Sequence, residues 1–242
     1  MLPPSRARIY YAGLMPRFEG FADADGRFFK ALAKHNEKNW FSAHKAEFEE
    51  GWNAPMKLLL SDVKQKIDHA YPHCDLDEPK VFRIFRDVRF SKDKAPYKTH
   101  IGGYIPLRRG GRKATDLPMA LYFHAGATEM FGAAGHYMMQ PEGLARFRAA
   151  VAASSSGAEL DRILRKLAFK GFVTGSHEEL KRVPKGYDPD HSRAHLLKRK
   201  GLVVTFPDLP KGLAAKSALT KWVTDACKTA APLVEWLAFA TA

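Results

Sequence analysis

The side chains best suited to chemistry in this sequence lie between Lys80 and His100. This segment contains seven lysines and arginines but only two acids, Asp87 and Asp93. Arginine makes paired, charge-assisted hydrogen bonds to phosphate or carboxylate, and several arginines at close spacing are difficult to satisfy within a fold. The sequence therefore predicts an anion-binding site formed by eight residues: Arg83, Arg86, Arg89, Lys94, Tyr97, Lys98, His100 and Tyr104.

The spacing of these residues predicts that two strands carry them. Residues 79–90 and 99–107 both alternate between apolar and polar side chains, which is typical of half-buried strands. Because neighbouring side chains of a strand point to opposite faces, a hairpin of these strands gathers Arg83, Arg89 and Lys98 on one polar surface. That surface is the predicted site.

The same alternation predicts how the two strands pair. The apolar row of the first strand consists of Phe82, Ile84, Val88 and Phe90. Keeping both apolar rows on one face favours Val88 opposite Ile101, Ile84 opposite Ile105 and Arg89 opposite His100. Arg86 falls in the apolar row, where an unpaired guanidinium group is costly. The pattern therefore predicts either a bulge or a buried ion pair at Arg86.

Histidines offer a second kind of chemistry. His100 and His124 fall at strand positions near the polar surface and are candidates for general acid or base catalysis, although hydrogen-bonding histidines of no catalytic role are more common. His191 and His195 have the spacing of a metal pair on a helix, but no third ligand is evident and the surroundings are basic. We predict no metal site and no cofactor. The common enzyme motifs do not occur, so the sequence assigns no catalytic residue and leaves enzymatic activity open.

The elements that position these residues follow from changes in periodicity along the chain. The first third carries apolar residues at helical spacing, the middle third contains four short strand-like runs separated by turn residues, and the last third returns to helical spacing. Successive strands without intervening helices indicate an antiparallel sheet. We predict an α+β fold, with an antiparallel sheet of about four to six strands packed against helices from the N- and C-terminal thirds.

The predicted domain organisation is simple. Residues 1–14 combine prolines and arginines without an amphipathic period and are predicted to be an N-terminal extension, with Met15 as an alternative start. Residues 15–242 are predicted to form a single α+β domain. Hydrophobic residues make up 45% of the chain and aromatic residues 12%, so the chain can bury a sizeable core.

The overall composition narrows the class of partner. A formal net charge of +13 favours anionic partners, either a small molecule or a nucleic acid. Two distant cysteines argue against a disulfide framework, and no stretch approaches the ~20 apolar residues that span a bilayer. We therefore expect a cytoplasmic protein with no membrane partner. The oligomeric state is not indicated by the sequence.

The basic segment also resembles a known family. Its pattern is Arg83-x-x-Arg86-Asp87-x-Arg89-Phe90-x-x-x-Lys94-x-x-Tyr97. This pattern resembles the signature of the bacterial and fungal family called domain of unknown function 2461. Further similar stretches are Asn39-Trp40-Phe41, Gly132 to Tyr137 and Pro184 to Asp188. Together these stretches span roughly Pro16 to Leu202, and the resemblance implies one fold over the whole length of the chain and supplies no catalytic residue.

Three hypotheses for function follow from the sequence. The first is a binding or enzyme site for a phosphorylated or carboxylated ligand, with the arginines as an anion clamp. The second is a nucleic-acid-binding module in which the basic surface follows phosphates and Phe85, Tyr97 or Tyr104 stacks on bases. The third is a structural or interaction protein whose arginines are paired internally. We rank them in that order.

Overall fold

The centre of the protein is an antiparallel sheet. The computed structural model describes residues 16–89, 91–108 and 117–242. Within these residues the strands are β1 Asp75–Leu76, β2 Lys80–Val81, β3 His100–Arg108, β4 Met119–Gly126, β5 Met130–His136, β6 Val173–Gly175 and β7 Leu202–Thr205. Their spatial order is β1-β3-β4-β5-β7-β6, and β2 also pairs with β3. The predicted α+β fold is confirmed, with slightly more strands than predicted.

Helices precede and follow the strands of the central meander. The described helices are α1 Arg27–Lys34, α2 Lys38–Ala43, α3 Lys45–Phe48, α4 Ala54–Ile67, α5 Pro141–Ala152, α6 Ser154–Phe169, α7 Ala194–Leu197 and α8 Leu219–Ala240. A π-helical turn, Glu49–Asn53, leads into α4. A proline in the first turn of α4 is compatible with the helix because the first amide hydrogens have no partner within the helix. None of the described helices is long and apolar enough to cross a membrane.

One face of the sheet packs against α4 and α8. Helix α4 buries the residues that repeat at helical spacing, namely Met56, Leu59, Leu60, Val63 and Ile67. Strand β3 turns Ile101 and Ile105 towards this core. Between them, Gly103 allows the helix to approach closely, since a Cβ atom there would lie 2.5 Å from Leu60 Cδ1. The core therefore fixes the orientation of β3 and, with it, the face that carries the polar side chains.

The opposite face of the sheet is called the site face. Strand alternation places on it His100, Gly102 and Tyr104 from β3, Tyr122 and His124 from β4, and Phe131 and Ala133 from β5. The pairs Tyr104 with Tyr122 and His124 with Phe131 lie directly opposite each other in the ladder. Aromatic and imidazole rings thus form a continuous row across the three central strands.

The predicted long hairpin is wrong in its extent and register. Regular pairing in the first strand stops at Val81, which lies opposite Gly103, and a single bridge joins Phe85 to Tyr97. Val88 therefore does not face Ile101. Of the predicted apolar row, Ile84 is buried, Phe82 is 44% exposed, Val88 is partly buried and Phe90 lies outside the described residues.

The predicted apolar row is broken between Phe82, which is exposed, and Ile84, which is buried. The Phe82 ring stacks on Tyr104 of the site face, with ring centroids 5.0 Å apart, instead of entering the core. Alternation predicts which face of the sheet a side chain lies on only where the strand is regular. Between Val81 and β3 the described residues form no regular strand. The predicted extension, residues 1–14, and the alternative start Met15 lie outside the described residues.

Candidate functional site

Two adjoining cavities lie on the site face. The larger, of about 550 Å³, is here called the aromatic cavity, and its ring-bearing walls include Phe82, Tyr104, Tyr122, Phe131 and Tyr137. The smaller, of about 180 Å³, is here called the cationic cavity, and it is lined by Phe82, Arg83, Lys98, His100, Gly102 and Tyr122. Phe82 and Tyr122 line both cavities. The two cavities therefore meet at these two side chains.

The cationic cavity owes its charge to Arg83 and Lys98. Lys98 Nζ donates a hydrogen bond to the Arg83 carbonyl oxygen (3.1 Å) and lies 5.6 Å from the centre of the Phe82 ring. Burial lowers the pKa of Lys98, and the nearby charge of Arg83 lowers it further. Among the described residues, neither cation has a carboxylate within 4.0 Å. Both charges are therefore available to an anion.

A chain of polar contacts runs from Glu129 to the shared wall. His124 Nε2 lies 3.4 Å from Glu129 Oε1, and His124 Nδ1 lies 3.2 Å from the Tyr122 hydroxyl. The negative charge of Glu129 beside Nε2 favours the tautomer with the ring proton on Nε2, and in that tautomer Nδ1 accepts a hydrogen bond from the Tyr122 hydroxyl. Burial raises the pKa of Tyr122, so its hydroxyl keeps its proton.

The two site-face histidines are in contact and uncharged at neutral pH. The rings of His100 and His124 have centroids 4.4 Å apart. Burial, the neighbouring His124 and Lys98 lower the pKa of His100 to about 4, and burial lowers the pKa of His124. The cations of the cavity are therefore Arg83 and Lys98, while the imidazoles act as neutral hydrogen-bonding groups.

Gly102 gives the Tyr122 hydroxyl its place in the cationic cavity. A Cβ atom on Gly102 would lie 3.0 Å from the Tyr122 hydroxyl and 3.2 Å from its ring. The hydroxyl therefore rests against bare backbone at the floor of the cavity. A larger residue at position 102 would push Tyr122 away from this position.

The segment that carries Lys98, immediately before β3, is anchored by the contact between Asn36 and Tyr97. Asn36 Nδ2 donates to the Tyr97 carbonyl (2.9 Å), and the Tyr97 amide donates to Asn36 Oδ1 (3.0 Å). The Tyr97 ring is buried and stacks on Phe41, with centroids 4.3 Å apart. These contacts lie one residue from Lys98. They fix the backbone from which its side chain extends.

The basic signature between Arg86 and Lys94 is bonded largely to itself. Arg86 forms an ion pair with Asp93, and Arg89 forms one with Asp87 (2.7 Å). Lys94 Nζ donates to the carbonyl oxygen of Val88 (3.0 Å). The Arg86 pair supplies the partner that the sequence pattern required, although the arginine is only partly buried. These contacts all lie within the segment that joins Arg83 to Lys98.

The eight residues predicted to bind an anion occupy different places. Arg83, Lys98 and His100 line the cationic cavity, and Tyr104 lines the aromatic cavity. Tyr97 is buried beneath them, and Arg86, Arg89 and Lys94 line neither cavity. A role of these last three residues in anion binding stays a prediction.

Sequence reasoning missed most of the aromatic walls. Tyr122 and Phe131 lie at alternate strand positions on the face opposite the buried Leu121 and Phe123, and large rings on a nominally polar row are the signal that could have found them. The contribution of Phe82 could not be found in this way, because it depends on irregular backbone.

Comparison with known protein families gives a match over most of the chain. The model of the conserved hypothetical protein family DUF2461 matches residues 26–236. The chain belongs to the DUF2461 family. The resemblance inferred from the basic signature is thereby confirmed. Both cavities of this DUF2461 protein, and the Asn36 anchor, lie inside the matched region. A search of curated proteins found no match.

The possible metal pair is not formed as the spacing suggested. Helix α7 begins at Ala194, so His191 lies outside it, and His191 Nδ1 accepts a hydrogen bond from the Arg193 amide (3.0 Å). Within the part of the DUF2461 chain that the structure describes, no group of three or more His, Cys, Asp or Glu residues is arranged to hold a metal ion.

Proposed function

We propose that this protein binds a small organic anion on the site face. The charged end of the ligand lies against Arg83 and Lys98, and its apolar or aromatic body lies in the aromatic cavity. The observation that carries this proposal is that the two cavities share Phe82 and Tyr122 as common walls. A single ligand can contact both.

The dimensions support a ligand of this kind. A volume of about 550 Å³ for the aromatic cavity falls within the ~300–1,000 Å³ typical of small-molecule sites. The cationic cavity, of about 180 Å³, suits a phosphate or carboxylate group with a few neighbouring atoms. Stacked rings, such as Phe82 on Tyr104, offer flat surfaces for an aromatic body.

The charge distribution favours a small molecule over a nucleic acid. A nucleic-acid strand requires a row of available cations that follows its phosphates. Arg86 and Arg89 are in ion pairs, whereas Arg83 and Lys98 are concentrated in one cavity. The paired arginines also support a structural role for the signature turn itself, in line with the third hypothesis. Binding of nucleic acid at the same surface stays an alternative.

Calorimetric titration with phenyl phosphate tests the proposal, because this molecule joins an anion to an aromatic ring. It should bind more tightly than inorganic phosphate, which has no ring, and than phenol, which has no charge. Lys98→Met keeps the aliphatic part of the side chain near Phe82 and removes the charge. A lost charge-assisted contact should weaken phenyl phosphate binding about tenfold or more.

Arg89→Met is the matched control, because it removes an equal charge from the same segment outside both cavities. It should bind phenyl phosphate like the unmodified protein. An equal loss in both variants would mean that the whole basic segment binds anions, as the sequence predicted. If Lys98→Met binds normally, the cationic cavity is not the site. A single-stranded oligonucleotide in the same titration tests the alternative, since strong binding there would favour a nucleic-acid module.

A further inference from the structure

We infer that the cationic cavity selects aromatic hydroxy acids, that is, anions with a hydroxyl group next to the charge and an aromatic body. This inference rests on the proposed function and specifies its class of ligand. It follows from the direction of the hydrogen bonds around Tyr122.

Glu129 sets that direction. Its Oε1 atom lies 3.4 Å from His124 Nε2, and the negative charge there favours the tautomer with the ring proton on Nε2. His124 Nδ1 then carries a lone pair and accepts the hydroxyl proton of Tyr122, at 3.2 Å. The single hydrogen of the Tyr122 hydroxyl is committed to His124. The Tyr122 oxygen therefore presents only lone pairs to a ligand.

The cationic cavity thus contains two kinds of polar wall. Arg83 and Lys98 attract negative charge, while the Tyr122 oxygen on the floor, against Gly102, requires a hydrogen-bond donor. A plain carboxylate has no donor and leaves this acceptor facing a negative group. A hydroxyl on the neighbouring carbon can donate to Tyr122 while the carboxylate contacts the cations. An unmatched acceptor weakens binding, so the hydroxyl should improve it.

An ammonium group also donates, but its charge is unfavourable here. Arg83 and Lys98 are close enough for the pKa of Lys98 to be lowered by Arg83, and a third cation in the same cavity would be repelled by both. The cavity should therefore prefer a hydroxy acid to the corresponding amino acid.

Three ligands of one skeleton test the inference: mandelate, phenylacetate and 2-phenylglycine. On the carbon next to the carboxylate, mandelate carries a hydroxyl group, phenylacetate carries only hydrogen, and 2-phenylglycine carries an ammonium group. Mandelate should bind at least about fivefold more tightly than phenylacetate, the effect of one ligand hydrogen bond, and 2-phenylglycine should bind more weakly than mandelate.

Tyr122→Phe keeps the ring in both cavities and removes the hydroxyl, that is, the acceptor for the ligand together with the donor to His124. This variant should bind phenylacetate within about twofold of the unmodified protein and should lose its preference for mandelate. Glu129→Gln tests the positioning role of Glu129, because its amide can donate to His124 Nε2 and no longer fixes the ring proton. The preference for mandelate over phenylacetate should shrink in this variant, whatever the absolute affinities.

The outcomes separate this inference from the proposed function. Equal binding of mandelate and phenylacetate, or a preference that survives in Tyr122→Phe, overturns the hydroxyl selection. If phenylacetate then still binds in a manner that depends on Lys98, the proposed function stands. Failure of both acids and of phenyl phosphate to bind the unmodified protein overturns the inference together with the proposed function.

Discussion

Asn36 and Tyr97 are joined by two hydrogen bonds in which the side-chain amide of Asn36 pairs with both backbone groups of Tyr97, at 2.9 and 3.0 Å. The Asn36 amide thereby takes the place of a neighbouring strand. It connects the loop after α1 to the segment that carries Lys98 and leads into β3 at His100. The helical part of the chain thus positions the cationic cavity directly.

Asn36→Ala should destabilise the fold and loosen Lys98. Two partly buried backbone groups lose their partner, which costs about 1–3 kcal/mol, or a fall in melting temperature of roughly 2–12 °C for a domain of this size. Asn53→Ala is the matched control, because Asn53 donates to the side chain of Glu49 and to no distant backbone. Equal melting temperatures of the two variants would show that the Asn36 contacts stabilise nothing beyond a surface bond.

Gly102→Ala should disturb the site while leaving the fold intact. The added methyl group would lie 3.0 Å from the Tyr122 hydroxyl and must displace it. We expect at least a several-fold loss of phenyl phosphate affinity, measured by titration. Gly175→Ala is the control, since its Cβ atom would make an ordinary 3.9 Å contact with Val203 at the edge of the sheet. Unchanged affinity in Gly102→Ala would mean that the ligand does not contact Tyr122.

The stability of the protein should fall in mild acid because of His100. Its pKa in the fold is about 4, below the ordinary value of 6.5, so the unfolded chain binds more protons between these values. Stability contributed by the neutral ring is present above pH 6.5 and is lost as the pH falls towards 4. Melting curves of the unmodified protein and His100→Gln at pH 7 and pH 4.5 isolate this effect.

The unmodified protein should lose more melting temperature over that interval than His100→Gln, by about 2–4 °C, the shift that roughly 1 kcal/mol produces in a domain of this size. His124 is unchanged in both proteins, so its own titration largely cancels in the comparison. Identical losses would show that His100 is not shielded from solvent as the structure has it.

The ion pair between Asp87 and Arg89 should contribute little to stability. Both side chains are largely exposed, at 48% and 77%, and exposed pairs gain little because water screens them. Arg89→Met should therefore melt within about 1–2 °C of the unmodified protein. A larger loss would indicate that the signature turn depends on this pair, and would favour a structural role for the arginine pattern.

Regular strands and helices were predictable, whereas irregular backbone was not. The strand that became β3 followed from alternation, whereas those that became β4 and β5 followed from short strand-like runs between turn residues. The short strands Asp75–Leu76 and Val173–Gly175 contain too few residues to show a period. The segment after Val81 alternates in sequence but lacks a regular ladder, so its predicted register was wrong.

The candidate site shows the same division. Arg83, Lys98 and His100 were predicted together and line one cavity, because they flank the start of a regular strand. The ion pairs within the signature depend on the turn between those residues, which no periodicity describes. Four of the eight predicted residues therefore line the two cavities. Most of the aromatic walls were not predicted, although the large rings of Tyr122 and Phe131 at alternate strand positions were a signal for them.

A crystal structure of the complex with 4-bromophenyl phosphate tests the central claim most directly, because the phosphate and the bromine report the two ends of the ligand independently. The phosphate should lie within hydrogen-bond distance of Lys98 Nζ, and the bromophenyl ring should lie in the aromatic cavity between Tyr104 and Phe131. A phosphate bound instead at Arg86 or Arg89, or a bromine outside the aromatic cavity, would contradict the account.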